Sequence, residues 1–367
     1  MTRPMGQAIA AVREATLHRY TLLYRRPVRW QGGIEDRAEF LLLRLTDADG
    51  REGVAEIVAK PTWNGFDGAT MALAFERLVL PCLSLSPDDR ATTLSRLVEM
   101  HAPKALLENA LADLASNGKR PPVPVSLTLT RAEPEVMAGE ASEQVAQHGF
   151  EVLKVKGGQG TQTDIAAIEA VRKAVGDKVA IYVDVNGVLS PEATPAYLRA
   201  MSGLGVLAVE DPYNLKPEPH LTKIQCGADI PIIVDFALDG VSSAASFLAL
   251  GARGLSIKVS RFGMRKSLEM GRLAAEAGAL AVAGLFGESQ AGAIHIMDLH
   301  AALPSGLKHL PAEATSFLLM TEHVMKEPLT LSGGHLAAPA GNLAAMIDWD
   351  RVERFAIVSP ESWTVGS

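Results

Sequence analysis

Five apolar, strand-like runs recur along the middle of this chain, and each carries an ionisable residue at or near its carboxyl end. Lys156 closes the run 150–156, Asp184 lies in 179–186 and Glu210 in 206–212. Asp235 ends 230–235 and Lys258 lies in 255–260, so successive charges are spaced by 28, 26, 25 and 23 residues. Between the runs lie segments with helical spacing, 163–175 and 191–201, the second preceded by Ser190 as an N-cap. Strand and helix alternating at this interval form the βα pattern that closes into a parallel barrel or winds into an open sheet. Barrel closure is the expectation, because inward and outward residues alternate along every barrel strand. The run 255–260 shows that alternation: Ser256, Lys258 and Ser260 share one face, Leu255, Ile257 and Val259 the other.

A second lysine, Lys154, stands two residues before Lys156. Side chains at i and i+2 on a strand share a face, so both ammonium groups point one way while Leu153 and Val155 point the other. Two such charges disfavour each other's protonated forms and draw at least one lysine toward a pKa suited to proton transfer. Taken alone, a Lys-x-Lys pair on an edge strand is usually a solvated face that resists aggregation. The downstream strands argue otherwise. Charges near the carboxyl ends of successive barrel strands converge on one mouth, where such barrels carry their chemistry. Asp184, Glu210 and Asp235 meet there without enough arginine beside them to pair. Their repulsion calls for a counter-charge, and a hard divalent cation held by oxygen ligands supplies it. Carboxylate ligands suit Mg²⁺ or Mn²⁺, and the set has no His or Cys to favour zinc.

As a set, these residues resemble the enolase superfamily, and within it the muconate-lactonising (muconate cycloisomerase) subgroup of the mandelate racemase/muconate lactonising enzyme family. The resemblance rests on Lys154-x-Lys156, on Asp184-x-Asn186, on Glu210-Asp211-Pro212, on Asp235 ending the fifth strand and on Lys258 in the sixth. It runs from about residue 40 to the end of the chain. It implies a (β/α)7β TIM-type barrel with an N-terminal α+β capping domain. The expected divisions are 1–120 for the capping domain, 121–325 for the barrel and 326–367 for a segment returning to the capping domain. It also implies a half-reaction in which the α-proton of a substrate carboxylate leaves to give an enediolate. Asp184, Glu210 and Asp235 match the family's metal ligands, for Mg²⁺ or Mn²⁺. Lys156 and Lys258 match its base and acid on opposite faces, and Lys154 has a supporting part beside Lys156 and the substrate carboxylate. The physics agrees, because a carboxylate's α-proton is so weakly acidic that preorganised charge must supply most of the stabilisation.

Further along, 280–289 reads as the seventh strand with Glu288 at its mouth end, and 312–322 resembles the family's eighth-strand segment, with an acid at Glu313. Asn186, Glu288, Glu313 and Trp30 are the candidates for substrate contact or for orienting a lysine. His295 and His300 fall on a helix after the seventh strand, do not match the His-Asp dyad of mandelate racemases, and read as structural. The chain departs from its subgroup in three places. Phe236 follows Asp235 where relatives place a Glu against the sixth-strand lysine. Arg261-Phe262-Gly263-Met264 has one glycine where relatives often have two. Ala340-Gly341-Asn342-Leu343-Ala344 replaces a glycine-rich element. These changes point to a specificity of its own.

The amino-terminal part alternates as a hairpin over residues 39–58, with Asp49-Gly50 as its turn, and helical patterns follow at 69–80 and 92–99. A loop at 27–36 with Arg29, Trp30 and Gln31, and another at 61–68 with Trp63 and Phe66, lie where relatives close over the barrel mouth. Such a lid excludes water and strengthens the charge interactions beneath it.

A chain of 367 residues with 48% hydrophobic content and net charge −7 has core enough for two domains and no basic stripe for nucleic acid or an anionic membrane. The residues near the start read as no signal peptide or membrane span. Cys82 and Cys226, far apart in apolar surroundings, read as reduced thiols of a cytoplasmic protein. The partners expected are a small carboxylate substrate and further copies of the chain in a homo-oligomer. The leading function is a muconate-type cycloisomerase, followed by a racemase or epimerase and then by an o-succinylbenzoate-synthase-like dehydratase. The eighth-strand Asp-x-Asp of dipeptide epimerases has no counterpart around Glu313. Outside the superfamily stand a Schiff-base enzyme using Lys258 and a non-catalytic binding barrel. A Schiff-base site needs one desolvated lysine and gives no role to three converging carboxylates.

Overall fold

The computed structural model describes residues 10–30, 33–97 and 99–365, so the readings made on residues 1–9 and on Gln31 lie outside the described residues. An antiparallel sheet comes first, formed by β1 (Val12–Trp30), β2 (Gly33–Asp47) and β3 (Glu52–Ala59). The helices α1 (Pro61–Asn64), α2 (Gly68–Ala74), α3 (Pro87–Arg96) and α4 (His101–Leu114) follow, with a π turn and a 3-10 turn over 75–84. The apolar run Phe40-Leu41-Leu42-Leu43 in β2 is continuous because both faces of this sheet are covered. Leu41, Leu43 and Leu45 pack with Met71, Phe75 and Leu107 of the helices, whereas Phe40 and Leu42 join the core shared with the barrel. All five β2 residues are fully buried, each contributing roughly 1.5–3 kcal/mol of hydrophobic stabilisation.

After the short β4 (Val123–Pro124) comes the barrel. Its strands are β5 (Leu127–Leu129), β6 (Val152–Lys156), β7 (Ala180–Asp184), β8 (Val209–Glu210), β9 (Ile232–Val234), β10 (Gly254–Ile257), β11 (Leu280–Ala283) and β12 (Lys308–His309). They pair in parallel in that order, and a parallel bridge between Val125 and Ala312 joins the last strand to the first. The connecting helices are α5 (Pro134–His148), α6 (Thr161–Val175), α7 (Thr194–Gly203), α8 (Pro219–Cys226), α9 (Val241–Ala249), α10 (Val259–Glu276) and α11 (Gln290–Ala302). Val152, Tyr182, Ala208, Ile233, Val282 and Leu310 form an apolar cluster of their own inside the strands, a filled core rather than a pore. The chain ends through β13 (Thr330–Ser332), β14 (His335–Ala337), α12 (Leu343–Met346), α13 (Trp349–Arg354) and β15 (Glu361–Thr364), which pairs with the outer edge of β1.

One buried polar junction ties the first sheet to the barrel. Glu56 of β3 accepts hydrogen bonds from the Ser289 hydroxyl at 2.5 Å, the Ser289 N–H at 3.0 Å and the Gly292 N–H at 3.2 Å, and from the Tyr20 hydroxyl. It thus sits at the amino end of α11, where the helix dipole favours a carboxylate. Burial nonetheless pushes its pKa up to about 7.

The structure corrects several local readings. The expected loop 27–36 is largely strand, because β1 runs on to Trp30 and pairs again with β2 after an irregularity between Leu23 and Val28 that accommodates Pro27. The eighth strand begins before 312, at β12, and its ladder runs on to Ala312, bridged to Val125, and to Glu313, whose N–H donates to the Ala283 carbonyl; past them, residues Ser316–Leu319 form a 3-10 turn. Lys258 lies just past β10 rather than within a strand. Cys82 is buried, but Cys226 is exposed at the end of α8. His295 and His300 do lie on α11, the first bonded to the Val54 carbonyl and the second packed against the His309 ring. Among the described residues no helix is long and apolar enough to cross a membrane.

Candidate active site

Strand register brings the predicted charges together. Lys156 of β6 lies level with Asp184 of β7, and Asp184 with Glu210 of β8, while Asp235 and Lys258 follow directly on β9 and β10. Asp184, Glu210, Asp235 and Glu313 are at most 1% exposed, so their charge must be met by the protein itself. Lys156 Nζ lies 2.5 Å from Asp184 Oδ2, and Lys258 Nζ lies 2.6 Å from Asp235 Oδ2. Lys154 sits deepest, with Nζ 2.9 Å from both Glu210 oxygens, 2.9 Å from Glu313 and 3.2 Å from Asp184.

These partners set the protonation states. Burial lowers the pKa of Lys154, but Glu210, Glu313 and Asp184 outweigh it and hold the ammonium charged well above the ordinary lysine range. Its charge is spent on carboxylates, and this corrects the picture of two lysines that mainly repel each other. Burial also pushes Asp184 up, yet Lys156 and Lys154 prevail and keep it below the usual carboxylate range. Glu210 is driven well up by burial and by Asp184. Three ammonium groups thus face four carboxyl groups, of which Glu210 is held toward its neutral form.

The other candidates divide. Glu313 accepts from Lys154 Nζ at 2.9 Å and from the Tyr182 hydroxyl at 2.5 Å, so of the two acids it is the one that touches a lysine. Glu288 instead accepts from the Ser260 hydroxyl at 2.6 Å and from the N–H groups of Phe286 and Gly287. Asn186 lies beside Lys156 and Lys258 in the mouth, together with Trp30 and Trp63 from the first domain and Leu285 and Phe286 from the barrel. Lys258 Nζ stands 5.2 Å from the Trp63 ring centre and 4.7 Å from that of Phe286. Phe236 packs edge-on against Trp63, so its side chain builds the lid where relatives place a Glu.

Two non-glycine residues at the mouth hold positive φ, Asn186 at 55° and Asp211 at 40°. Each is locked by hydrogen bonds. The Asn186 N–H donates to Asp184, and Asp211 accepts from the N–H groups of Asp235 and Phe236. Sequence reasoning singled out neither Tyr182 nor Lys60. Alternation along β7 places Tyr182 on the face of Asp184, level with Lys154 in the next strand, and that pattern was readable. Lys60, which also lines the mouth, ends an apolar strand just before Pro61 and carries no such signal.

Asp184, Glu210 and Asp235 supply oxygen donors from three consecutive strands, the set that a hard divalent cation takes. Asp235 Oδ1 is buried and has no hydrogen-bond partner among the described residues. As the side chains stand, no three acidic, His or Cys groups among the described residues converge closely enough to cage an ion, and each of the three carboxylates is engaged by a lysine. The oxygen-donor chemistry and the unpartnered Asp235 Oδ1 fit such an ion.

Comparison with known proteins agrees with this geometry. The family described as Enolase C-terminal domain-like matches residues 136–342, more than half of the chain. A chloromuconate cycloisomerase from Cupriavidus pinatubonensis is 24% identical over 364 residues, covering 91% of this chain and 96% of the relative. An N-succinyl-L-Arg/Lys racemase from Bacillus cereus is 32% identical over 142 residues, 38% of each chain. The crystal structure of a muconate lactonizing enzyme from Mucobacterium Smegmatis complexed with muconolactone superimposes with a TM-score of 0.87 at 24% identity, covering 96% of this chain and 100% of the other. The chain belongs to the enolase superfamily, in its muconate-lactonising subgroup, and is an enzyme of the isomerase or lyase kind.

Proposed function

We propose that this enzyme depends on a divalent metal, Mg²⁺ or Mn²⁺, and moves the proton α to the carboxylate of a small acid, as a cycloisomerase of the muconate type. The observation that carries this reading is the placement of Lys156 and Lys258. β6 and β10 stand four strands apart in an eight-stranded barrel, so the two lysines face each other across the mouth above buried Asp184, Glu210 and Asp235. Asp184, Glu210 and Asp235 would hold the cation, and it would supply positive charge to offset the substrate carboxylate and the negative charge left by the departing α-proton.

The chain's own side chains do the rest. Lys156 exchanges its Asp184 contact for the substrate and takes the α-proton at Nζ as the neutral amine or returns it as the ammonium, a role worth about 10²–10⁴ in rate. Lys258, between the faces of Trp63 and Phe286, holds its ammonium on the opposite side of the substrate. Lys154, clamped by Glu210 and Glu313, keeps those two acids in place and balances their charge. Trp30 and Trp63 cover the mouth and exclude water, which strengthens each of these interactions.

A racemase is the second reading. Two lysines on opposite sides suit proton removal on one face and delivery on the other, and the racemase from Bacillus cereus matches part of the chain. A dehydratase shares the first half of either reaction. The test is metal-dependent exchange of α-protons for deuterium in D₂O across muconates, N-acylamino acids and sugar acids. Exchange that needs Mg²⁺ and disappears in Lys156→Ala or Lys258→Ala supports the reading. A borohydride-trapped adduct at Lys258 formed without metal sinks it.

A further inference from the structure

The two lysines that face each other at the mouth are held in place by different parts of the molecule. Directly after Lys156, the turn Gly157-Gly158-Gln159 is tied down by barrel residues. Asp164 of α6 accepts from the N–H groups of Gly158 at 2.8 Å and Gln159 at 3.1 Å, and Arg131 donates to the Gly157 carbonyl at 2.7 Å. Directly after Lys258 the chain enters α10, and there the tie comes from the first domain. Asn109 of α4 is fully buried, donates from Nδ2 to the Val259 carbonyl at 3.0 Å and accepts at Oδ1 from the Met264 N–H at 3.1 Å. One side-chain amide thus joins both ends of the segment 259–264.

That segment needs such a tie. Gly263 interrupts α10 with φ 74° and ψ 164°, which turns the Met264 N–H out of the helical ladder and leaves it to find an acceptor elsewhere. A side chain at 263 is excluded twice, by the positive φ and by Glu108 of α4, which a Cβ there would strike. The buried Phe262 ring packs edge-on against His101, with 5.9 Å between ring centres. His101, Glu108 and Asn109 are spaced i, i+7 and i+8, so a single face of α4 lies along the turn that Lys258 opens. Ring packing tolerates small slips, whereas two hydrogen bonds from one amide fix distance and direction at both ends.

The Lys258 carbonyl accepts from the N–H groups of Arg261 and Phe262, both at 3.0 Å, so the backbone of Lys258 moves as one with this turn. Its ammonium meets Asp235 and the Trp63 and Phe286 rings at the end of a flexible stem whose root the turn sets. Resting on the role proposed above for Lys258, we infer that Asn109 is its positioning residue. The first domain, through one buried amide, sets where the Lys258 ammonium stands, while barrel residues do the same for Lys156. The domain that covers the mouth therefore also aligns one of the two proton-carrying groups, and it does so without touching the substrate.

The experiment reads the two lysines separately in the full-length enzyme. Competitive acetylation with trace acetic anhydride across a range of pH, followed by peptide mass spectrometry, gives the reactivity of Lys258 with Lys156 as internal reference. Asn109→Leu keeps the volume and removes both hydrogen bonds. It is expected to raise the ratio of Lys258 to Lys156 labelling at least about threefold, as the hold of Asp235 on the ammonium loosens. Asn109→Asp keeps an acceptor for Met264, cannot donate to Val259, and is expected to fall between. Leu107→Ala opens a cavity in the first-domain core from the same helix and is expected to leave the ratio as in wild type. An unchanged ratio in Asn109→Leu overturns the inference, and so does an equal change in Leu107→Ala, which makes the effect one of stability alone. Should Asn109→Leu not fold, Asn109→Asp against Leu107→Ala carries the same decision. Deuterium exchange with Mg²⁺ is followed alongside on the D and L forms of N-acetylalanine. Asn109→Leu is expected to slow the form that Lys258→Met slows by about ten- to a hundredfold, the loss that a misplacement of about 1 Å brings, and to leave the other within about threefold. Equal slowing of both forms overturns the inference. Absence of exchange by wild type across the whole panel of acids refutes the proton chemistry, and the labelling ratio still decides whether Asn109 places Lys258.

Discussion

Replacing Lys154 by methionine keeps most of the side chain's volume and takes one buried ammonium group from among three carboxylates. Asp184 keeps Lys156 at 2.5 Å, and Glu313 keeps the Tyr182 hydroxyl and the Leu285 N–H. Glu210 loses both of its contacts with Lys154 and is left buried. Removing one partner of a buried ion pair costs roughly 3–5 kcal/mol. The lower end applies, because burial and Asp184 already push Glu210 toward its neutral form, in which it needs no counter-charge. At roughly 2–4 °C per kcal/mol, a loss of about 3 kcal/mol lowers the melting temperature by about 6–12 °C in EDTA. Millimolar Mg²⁺ is expected to recover more of the loss in the variant than it adds to wild type, since the variant cluster has lost one positive charge from among its acids. Adding Glu313→Gln to the variant removes one of the stranded charges and restores part of the stability. Differential scanning calorimetry with and without Mg²⁺ reads all of this. A fall under about 2 °C, with Mg²⁺ raising both proteins equally, refutes the claim that Lys154 balances these acids.

Other expectations follow from single features. Lys156→Met and Lys258→Met should each lower α-deuterium exchange by about 10²–10⁴ while circular dichroism stays as in wild type; exchange within tenfold of wild type in both refutes their assignment. Burial, aided by His309, lowers the pKa of His300 to about 4 from 6.5, so the folded state holds it neutral. The stability this supplies is full above about pH 6.5 and is lost as pH falls through 4, by roughly 3 kcal/mol in all. The difference in melting temperature between wild type and His300→Gln should therefore shift against wild type between pH 7 and 5, and a constant difference contradicts it. Gly118, at φ +68°, lies where a Cβ would meet backbone atoms of Gly341 at 2.3–2.7 Å. Gly118→Ala should cost roughly 2–3 kcal/mol in urea unfolding, and a change under about 0.5 kcal/mol would contradict this packing.

Parts of this architecture were legible from the residues alone because they follow from periodicity. The spacing from Lys156 to Lys258 gives the βα unit, and alternation along 152–156 puts Lys154 and Lys156 on one face. What escaped reading lies where local chemistry and tertiary context disagree. Pro27 reads as a breaker, yet β1 continues beyond it because the irregularity after Leu23 leaves its missing N–H without a ladder partner to lose. The last barrel strand starts at Lys308–His309, which are polar and exposed, so no apolar run announces it, and only the resemblance around Glu313 points to its far end. Lys60 was invisible for a similar reason. A lysine before a proline at the end of a strand ordinarily marks solvent, and only the approach of Trp30, Tyr24 and Gly287, distant in sequence, buries it.

The pairing of β15 with β1 bears on how the chain is made. Glu14 lies opposite Thr364 and Leu17 opposite Glu361, so one edge of the first sheet is supplied by residues that leave the ribosome some 350 positions later. Until then the outer edge of β1 presents unpaired N–H and C=O groups, a template for strands of other chains. Glu56 likewise waits for Ser289 and Gly292, so the junction between the first sheet and the barrel cannot form before α11 has been synthesised. During synthesis the domain that is translated first is therefore completed last. Truncations that spare the whole barrel but remove residues 361–364 should show their damage as aggregation of nascent chains rather than as loss of barrel structure.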